Sequence, residues 1–323
     1  MRVRRRRLRA GSGGQNVAEC TPIRRPEGEA GGRPLLDPAF LARLERLQLG
    51  TRRALAGRLA GEHRSPVRGT SVDFADYREY HPGDDFRRID YAAYARLDVL
   101  LVRLFEAEDD LHLRLLVDTS ASMASAGKLE AAKRVAAALG FVALVRRDPV
   151  SVHSFPLDRP GPRFTGRNGV SALFAHLGGL EAGGATPFAA AAASLLSRPG
   201  PAGLTVVISD LLTPEWEAGI GRLPARGGDV VVVHLLADEE LHPGDADEEL
   251  AGDLDLVDTE TGQRVAVSLS ARILDDYERA ALAWTDGVAA RCRRSGAAYV
   301  RLLASDDLEA RLLSAWRNAG VLR

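Results

Sequence analysis

The apolar run Leu113–Val117 ends in Asp118-Thr119-Ser120-Ala121-Ser122, and the alanine-rich stretch Lys128–Arg146 follows with apolar residues at helical spacing. A short apolar run, a polar turn and a long helical pattern form one strand–loop–helix unit. The pattern recurs downstream. Val150–Phe155, Leu204–Ser209, Val230–Leu236 and Tyr299–Leu303 read as strands. Between them Val170–Leu180, Pro187–Leu196, Pro214–Leu223 and Ala271–Arg294 read as helices. Strands alternating with helices of this length predict an α/β fold with a doubly wound, mostly parallel sheet flanked by helices. Leu254–Asp258 and Arg264–Leu269 flank Glu260-Thr261-Gly262 as a hairpin, and Asp306–Arg317 closes the chain as a helix capped by Ser305 or Asp306. The acidic stretch Asp238–Asp255 lacks EF-hand spacing and reads as a solvated loop.

The first 34 residues are mostly Arg, Gly, Pro and small polar residues, including four consecutive arginines at Arg4–Arg7. They read as a disordered basic tail or an overlong gene start. Residues 35–110 form an N-terminal region. There Phe40, Leu41, Leu44 and Leu47 make a helical stripe behind Asp37, Leu55 and Leu59 continue a second short helix, Val72–Tyr80 and Val99–Phe105 read as strands, and Ile89–Tyr94 is irregular. Residues 111–323 form the α/β domain. A net charge of -1 gives no general pull toward nucleic acid, and two cysteines, Cys20 and Cys292, do not make a disulfide framework. No apolar stretch reaches the ~20 residues that span a bilayer, and no secretory h-region is present. These features predict a cytoplasmic protein.

Asp118, Ser120 and Ser122 place one carboxylate and two hydroxyls at a strand's C-terminal edge, where open α/β sheets bind ligands. Oxygen donors of this kind suit Mg²⁺ or Mn²⁺. The same residues equally suit a helix N-cap with no metal. Two further segments can converge on that edge. Thr186 follows the glycine turn Gly183-Gly184, and Asp210 directly follows the strand Leu204–Ser209, where Ser209 can add a supporting hydrogen bond. Five such ligands would leave one octahedral position for water or a partner's carboxylate. No His, Glu or Lys stands beside the motif in sequence as an evident general base, which favours binding over catalysis.

Asp118-x-Ser120-x-Ser122, Thr186 and Asp210 together resemble the metal-ion-dependent adhesion site (MIDAS) of von Willebrand factor A domains. The segment Asp73-Phe74-Ala75-Asp76-Tyr77-Arg78-Glu79-Tyr80-His81-Pro82-Gly83-Asp84-Asp85-Phe86-Arg87-Arg88-Ile89-Asp90-Tyr91, followed by Ala95-Arg96, resembles the hallmark of the bacterial DUF58 family. Tyr91 stands where that family more often has Trp, and the chain resembles the short form that lacks N-terminal membrane helices. The resemblance implies a von Willebrand A-like domain, a Mg²⁺ (or Mn²⁺) ion, and a non-enzymatic adaptor or co-chaperone. The implied partners are a MoxR-type AAA+ ATPase and an unknown protein client, with no nucleic acid and no membrane span. The charged segment can be an internal ion-pair belt or a docking surface. A second reading is a Mg²⁺-dependent phosphotransferase of haloacid dehalogenase type with Asp118 as nucleophile. That chemistry usually places an acid two residues on, where this chain has Ser120. A third is nucleic-acid binding through the arginine-rich tail.

Overall fold

The computed structural model describes residues 2–5, 34–49, 74–82, 84, 86, 89–105, 111–155, 161–185, 187–197, 203–226, 228–243, 252–257, 263–311 and 316. In chain order the elements are β1 (Arg2–Arg5), α1 (Pro38–Leu44), β2 (Phe74–Glu79), α2 (Tyr91–Leu97), β3 (Leu101–Phe105), β4 (His112–Asp118), α3 (Lys128–Val145) and β5 (Val150–Phe155). There follow β6 (Arg163–Phe164), α4 (Gly169–Gly178), α5 (Phe188–Ser197), β7 (Gly203–Ser209), α6 (Trp216–Arg222), β8 (Asp229–Leu236), α7 (Asp238–Leu241), β9 (Gly252–Val257), β10 (Arg264–Leu269), α8 (Ala271–Arg294) and β11 (Ala298–Leu303). The chain divides into two compact units, Met1–Leu55 with Leu111–Arg323, and Ala56–Asp110.

The larger unit is built on a six-stranded sheet of order β11-β8-β7-β4-β5-β6. Every pairing in it is parallel except β5 with β6. All seven residues of β4 are buried, with no polar alternation, because helices cover both faces of the sheet. The period-2 geometry of the strand still sorts them. Leu113, Leu115 and Val117 join the α3 and α1 side of the core, while Leu116 joins the side built from α5, α6 and α8. α3 packs closely against α4 because Gly140 has no side chain; a Cβ there would stand 2.4 Å from Leu173 Cδ2. This is the doubly wound α/β class that the alternation predicts. Chain order reverses between β4 and β7, so a crevice opens at the C-terminal ends of these two strands.

Several local readings change. Phe40, Leu41 and Leu44 of the stripe lie in α1, with Asp37 accepting from Ala39 N as expected, while Leu47 is buried just past the helix end; the stripe belongs to the core of the larger unit and not to a separate region. Part of the expected tail, Arg2–Arg5, pairs antiparallel with β9 in a three-stranded sheet with β10; residues 6–33 lie outside the described residues. The irregular segment after Ile89 is helical, since Asp90 accepts from Ala92 N and Ala93 N and so starts α2. The closing helix is capped by Asp307 rather than Ser305 or Asp306, because Asp306 instead accepts from Leu303 N. The short helix at Leu55 and Leu59 lies outside the described residues. Among the described residues no helix is long and apolar enough to cross a membrane.

The smaller unit contains an antiparallel β2–β3 pair and α2. In it Tyr77 Oη donates to Asp90 Oδ2 at 2.7 Å, and Arg78 pairs with Asp84 at 2.9 Å. Phe86 and Tyr91 are each 63% exposed.

Candidate metal centre

Asp118 is the last residue of β4, and the chain then turns through a single 3₁₀ turn, Ala121–Ala124, before α3. Asp118 Oδ1 accepts from Ser120 N at 2.9 Å, so the carboxylate folds the loop back on itself. Its other oxygen, Oδ2, accepts from Ser209 Oγ at 2.5 Å. The hydroxyls of Ser120 and Ser122 lie 2.9 Å apart and bond to each other. Ser120 makes no side-chain capping bond to the turn it precedes, and α3 begins behind Gly127 with no side-chain cap either. The N-cap reading of this cluster therefore fails, because neither hydroxyl is used to start a helix.

Asp210 follows β7, the neighbour of β4, and so reaches the same edge. Its Oδ1 accepts from Leu212 N at 3.2 Å. The backbone between them is bent sharply: buried Leu211 has a left-handed φ of 54°, and its N–H donates to Ser209 Oγ at 2.9 Å. A branched side chain in that region stores strain, which concentrates at functional turns. Ser209 thus links the two carboxylate segments, as its position in the sequence suggests.

The glycine turn also comes to this edge. Gly183 N donates to the Thr119 carbonyl at 2.7 Å, and Ala121 N donates to the Gly184 carbonyl at 2.9 Å. Gly184 has φ +79°, which a side-chain-bearing residue rarely adopts. Thr186 itself lies outside the described residues. Of the five residues singled out in the sequence, Asp118, Ser120, Ser122 and Asp210 are gathered here, and all four are buried.

Two further charged groups, not singled out in the sequence, stand at the site. Lys128, the first residue of α3, has no solvent exposure; its Nζ donates to Asp210 Oδ2 at 2.7 Å and to Glu240 Oε1 at 2.6 Å. Glu240 lies in α7, just past the end of β8, and its Oε2 accepts from Ala237 N at 2.9 Å. The acidic stretch read as a solvated loop therefore opens with a residue of the site. One clue was available: Glu240 follows a strand that neighbours β7, so it must emerge at the same edge. Below the carboxylates, His234 Nε2 faces the Asp210 carbonyl at 3.0 Å and Nδ1 faces Tyr299 Oη at 2.9 Å. A carbonyl can only accept, so Nε2 carries the proton and Nδ1 takes the tyrosine's.

Burial, and then the nearby Asp210 carboxylate, push Asp118 up to about 7. Burial works against the Lys128 ammonium, but Asp210 and then Glu240 outweigh it and hold the group above its ordinary value. Burial pulls His234 down to about 4, so it is neutral near pH 7. Asp118 is left with hydroxyl and amide donors but no cation among its described hydrogen-bond partners.

This donor set is all oxygen. Among the described residues no group of three or more His, Cys, Asp or Glu forms a metal cluster, so the donors here are two carboxylates supplemented by hydroxyls. Such a set fits a hard ion of the Mg²⁺ or Mn²⁺ class better than Zn²⁺. The raised Asp118 carboxyl fits as well, since a nearby divalent charge would favour its ionised form.

The sequence model of the family described as "Protein of unknown function DUF58" matches residues 76–285. The uncharacterized protein Rv1480 of Mycobacterium tuberculosis is 32% identical over 282 residues, covering 84% of this chain and 87% of its own length. The uncharacterized protein Mb1516 of Mycobacterium bovis matches to the same extent, 32% over 282 residues. A crystal structure described as the conserved hypothetical protein BatB from Bacteroides thetaiotaomicron is similar over 65% of this chain and 98% of its own, with a TM-score of 0.36 and 16% identity.

Proposed function

The chain belongs to the DUF58 family, and we propose that within it this protein is a metal-dependent interaction module rather than an enzyme. Asp118, Ser120, Ser122 and Asp210 would hold Mg²⁺ or Mn²⁺, with Thr186 as a further ligand implied by the resemblance to MIDAS domains. Bound there, the ion would supply a hard positive charge that an acidic side chain of a partner could meet. The client is a protein offering such a group, and the module works as an adaptor or co-chaperone beside a MoxR-type AAA+ ATPase.

One observation carries this reading. Two carboxylates and a pair of hydroxyls free of capping duty are gathered, buried, at the ligand-binding edge of a parallel sheet. With Asp118 ionised, three carboxylates and one ammonium leave two negative charges at the site, which one divalent ion would neutralise. The chain's own groups do the rest. Ser209 orients Asp118, the Leu211 turn orients Asp210, and the Gly183–Thr119 and Ala121–Gly184 bonds fix the loops. Lys128 is held between two carboxylates, so it offers no free amine for acid–base work.

The test is capture of a purified MoxR-type AAA+ ATPase from the same organism, by wild type and Asp118→Ala, in Mg²⁺ and in EDTA. Capture should need both the metal and the aspartate. Capture indifferent to both changes sinks the reading.

A further inference from the structure

Among the described residues, Lys128 is the buried cation that touches the site, and the binding reading gives it no ligand role. It is fully buried, ten residues past Asp118 in sequence, and its ammonium bridges Asp210 and Glu240 at 2.7 and 2.6 Å. Asp210 Oδ1 is engaged by Leu212 N and Oδ2 by Lys128, so both oxygens already have donors. Glu240 is tied down on its far side by Ala237 N. Its backbone carbonyl accepts from Tyr277 Oη of α8 at 3.1 Å.

We propose that Lys128 is a resident cation that shares Asp210 with the divalent ion and sets the ion's affinity, with Glu240 as the counter-ion that tempers it. The inference rests on the metal reading above. Its physical basis is charge. A buried ammonium against Asp210 repels a divalent ion approaching the same carboxylate, and in a poorly solvated site that repulsion is weakly screened. Glu240 draws part of the ammonium's charge away from Asp210. With Asp210 held by an ion, the Lys128 ammonium would rest on Glu240. Lys128 is therefore a positioning residue that keeps the two buried aspartates compatible without metal, at the cost of weaker metal binding.

The signs of two substitutions distinguish this role from a scaffolding one. Lys128→Met keeps the length of the side chain and removes the charge. It should lower metal-free thermal stability yet tighten Mn²⁺ binding by about tenfold or more. Glu240→Gln keeps a cap for Ala237 N and removes the counter-charge. It should weaken Mn²⁺ binding severalfold. A lysine that merely scaffolds Asp210 predicts the reverse for the first variant and no change for the second.

The measurement is calorimetric titration of the full-length wild type, Lys128→Met and Glu240→Gln with Mn²⁺ alone, beside thermal melts in EDTA. Tighter binding by Lys128→Met supports the proposal, and equal or weaker binding by the folded variant overturns it. If Lys128→Met does not fold, Glu240→Gln decides: weaker binding supports the proposal and unchanged binding overturns it. A wild type that binds no Mn²⁺ overturns the metal reading and this inference together. Normal wild-type binding with unresponsive variants overturns this inference alone.

Discussion

At the edge of the six-stranded sheet, Asp118, Ser120 and Asp210 have no solvent exposure, whereas in the smaller unit Arg78 and Asp84 pair with side chains 44% and 23% exposed. Both segments carry charged residues, yet ionisation has opposite consequences in them. Burial and a second carboxylate raise Asp118, so its charge is costly. The hydrogen bond from Arg78, aided by the His81 amide, lowers Asp84, so its charge is welcome. A buried carboxyl whose charge is costly, beside a strained turn, is the stronger pointer to a site; a cheap exposed pair points to little by itself.

The largest expected effect breaks the buried half of this contrast. The folded pKa of Asp118, about 7, lies above its ordinary value of 3.8. Between those values the metal-free native state holds a proton that the unfolded state has released. Stability from this group is therefore highest near pH 4, falls as pH rises, and the full cost is present above about pH 7. Asp118→Asn keeps the acceptor for Ser120 N without the charge. In EDTA at pH 8 it should be more stable than wild type, by up to ~4 kcal/mol, and equal to it near pH 4. Adding Mn²⁺ should stabilise wild type and leave the variant unmoved. Urea unfolding at the two pH values checks this, and a difference that does not vary with pH refutes it.

A smaller effect belongs to the point where the exposed motif turns inward. Asp90 is 4% exposed and accepts from Ala92 N, Ala93 N and Tyr77 Oη. It is the N-cap of α2, and Asp90→Ala should cost ~1–2 kcal/mol. Asp90→Asn should recover most of this. Faster hydrogen exchange over Tyr91–Leu97, with Mn²⁺ affinity unchanged, is the expected readout.

The sequence shows the α/β unit well because its signals are local and periodic. β4, β7 and β8 are near-continuous apolar runs that only a two-sided parallel sheet can bury. The placement of Asp118 and Asp210 follows, since residues after parallel strands share an edge. Lys128 and Glu240 are harder to read, because their contacts bridge 82 and 112 residues and only the strand order places Glu240 at this edge. A lysine opening a helix and a glutamate in an acidic run each look solvated until topology brings them together. β1 was hidden differently: composition says that an arginine-rich segment need not pack, but it cannot say that a hairpin edge is waiting for a third strand. α2 was obscured by its brevity, being seven residues between a capping aspartate and Asp98 at φ 53°.

The smallest expected effect on stability is also the one that separates the two readings of the charged segment. Arg78 donates to Asp84 at 2.9 Å and lies 3.1 Å from His81 Nδ1, while His81 N donates to the other Asp84 oxygen. These charges are satisfied within the hairpin, which is what an ion-pair belt requires. They are also partly exposed, so solvent screening leaves the pair little net effect on stability. Arg78→Met should therefore leave the melting temperature unchanged within error. If the segment is a belt, ATPase capture in Mg²⁺ should be unchanged as well. If it is a docking surface, with Phe86 and Tyr91 each 63% exposed beside these charges in sequence, capture should fall while stability and Mn²⁺ affinity hold. A variant that loses stability instead would mean that the exposed pair behaves like the buried one, and the contrast between the two segments would collapse.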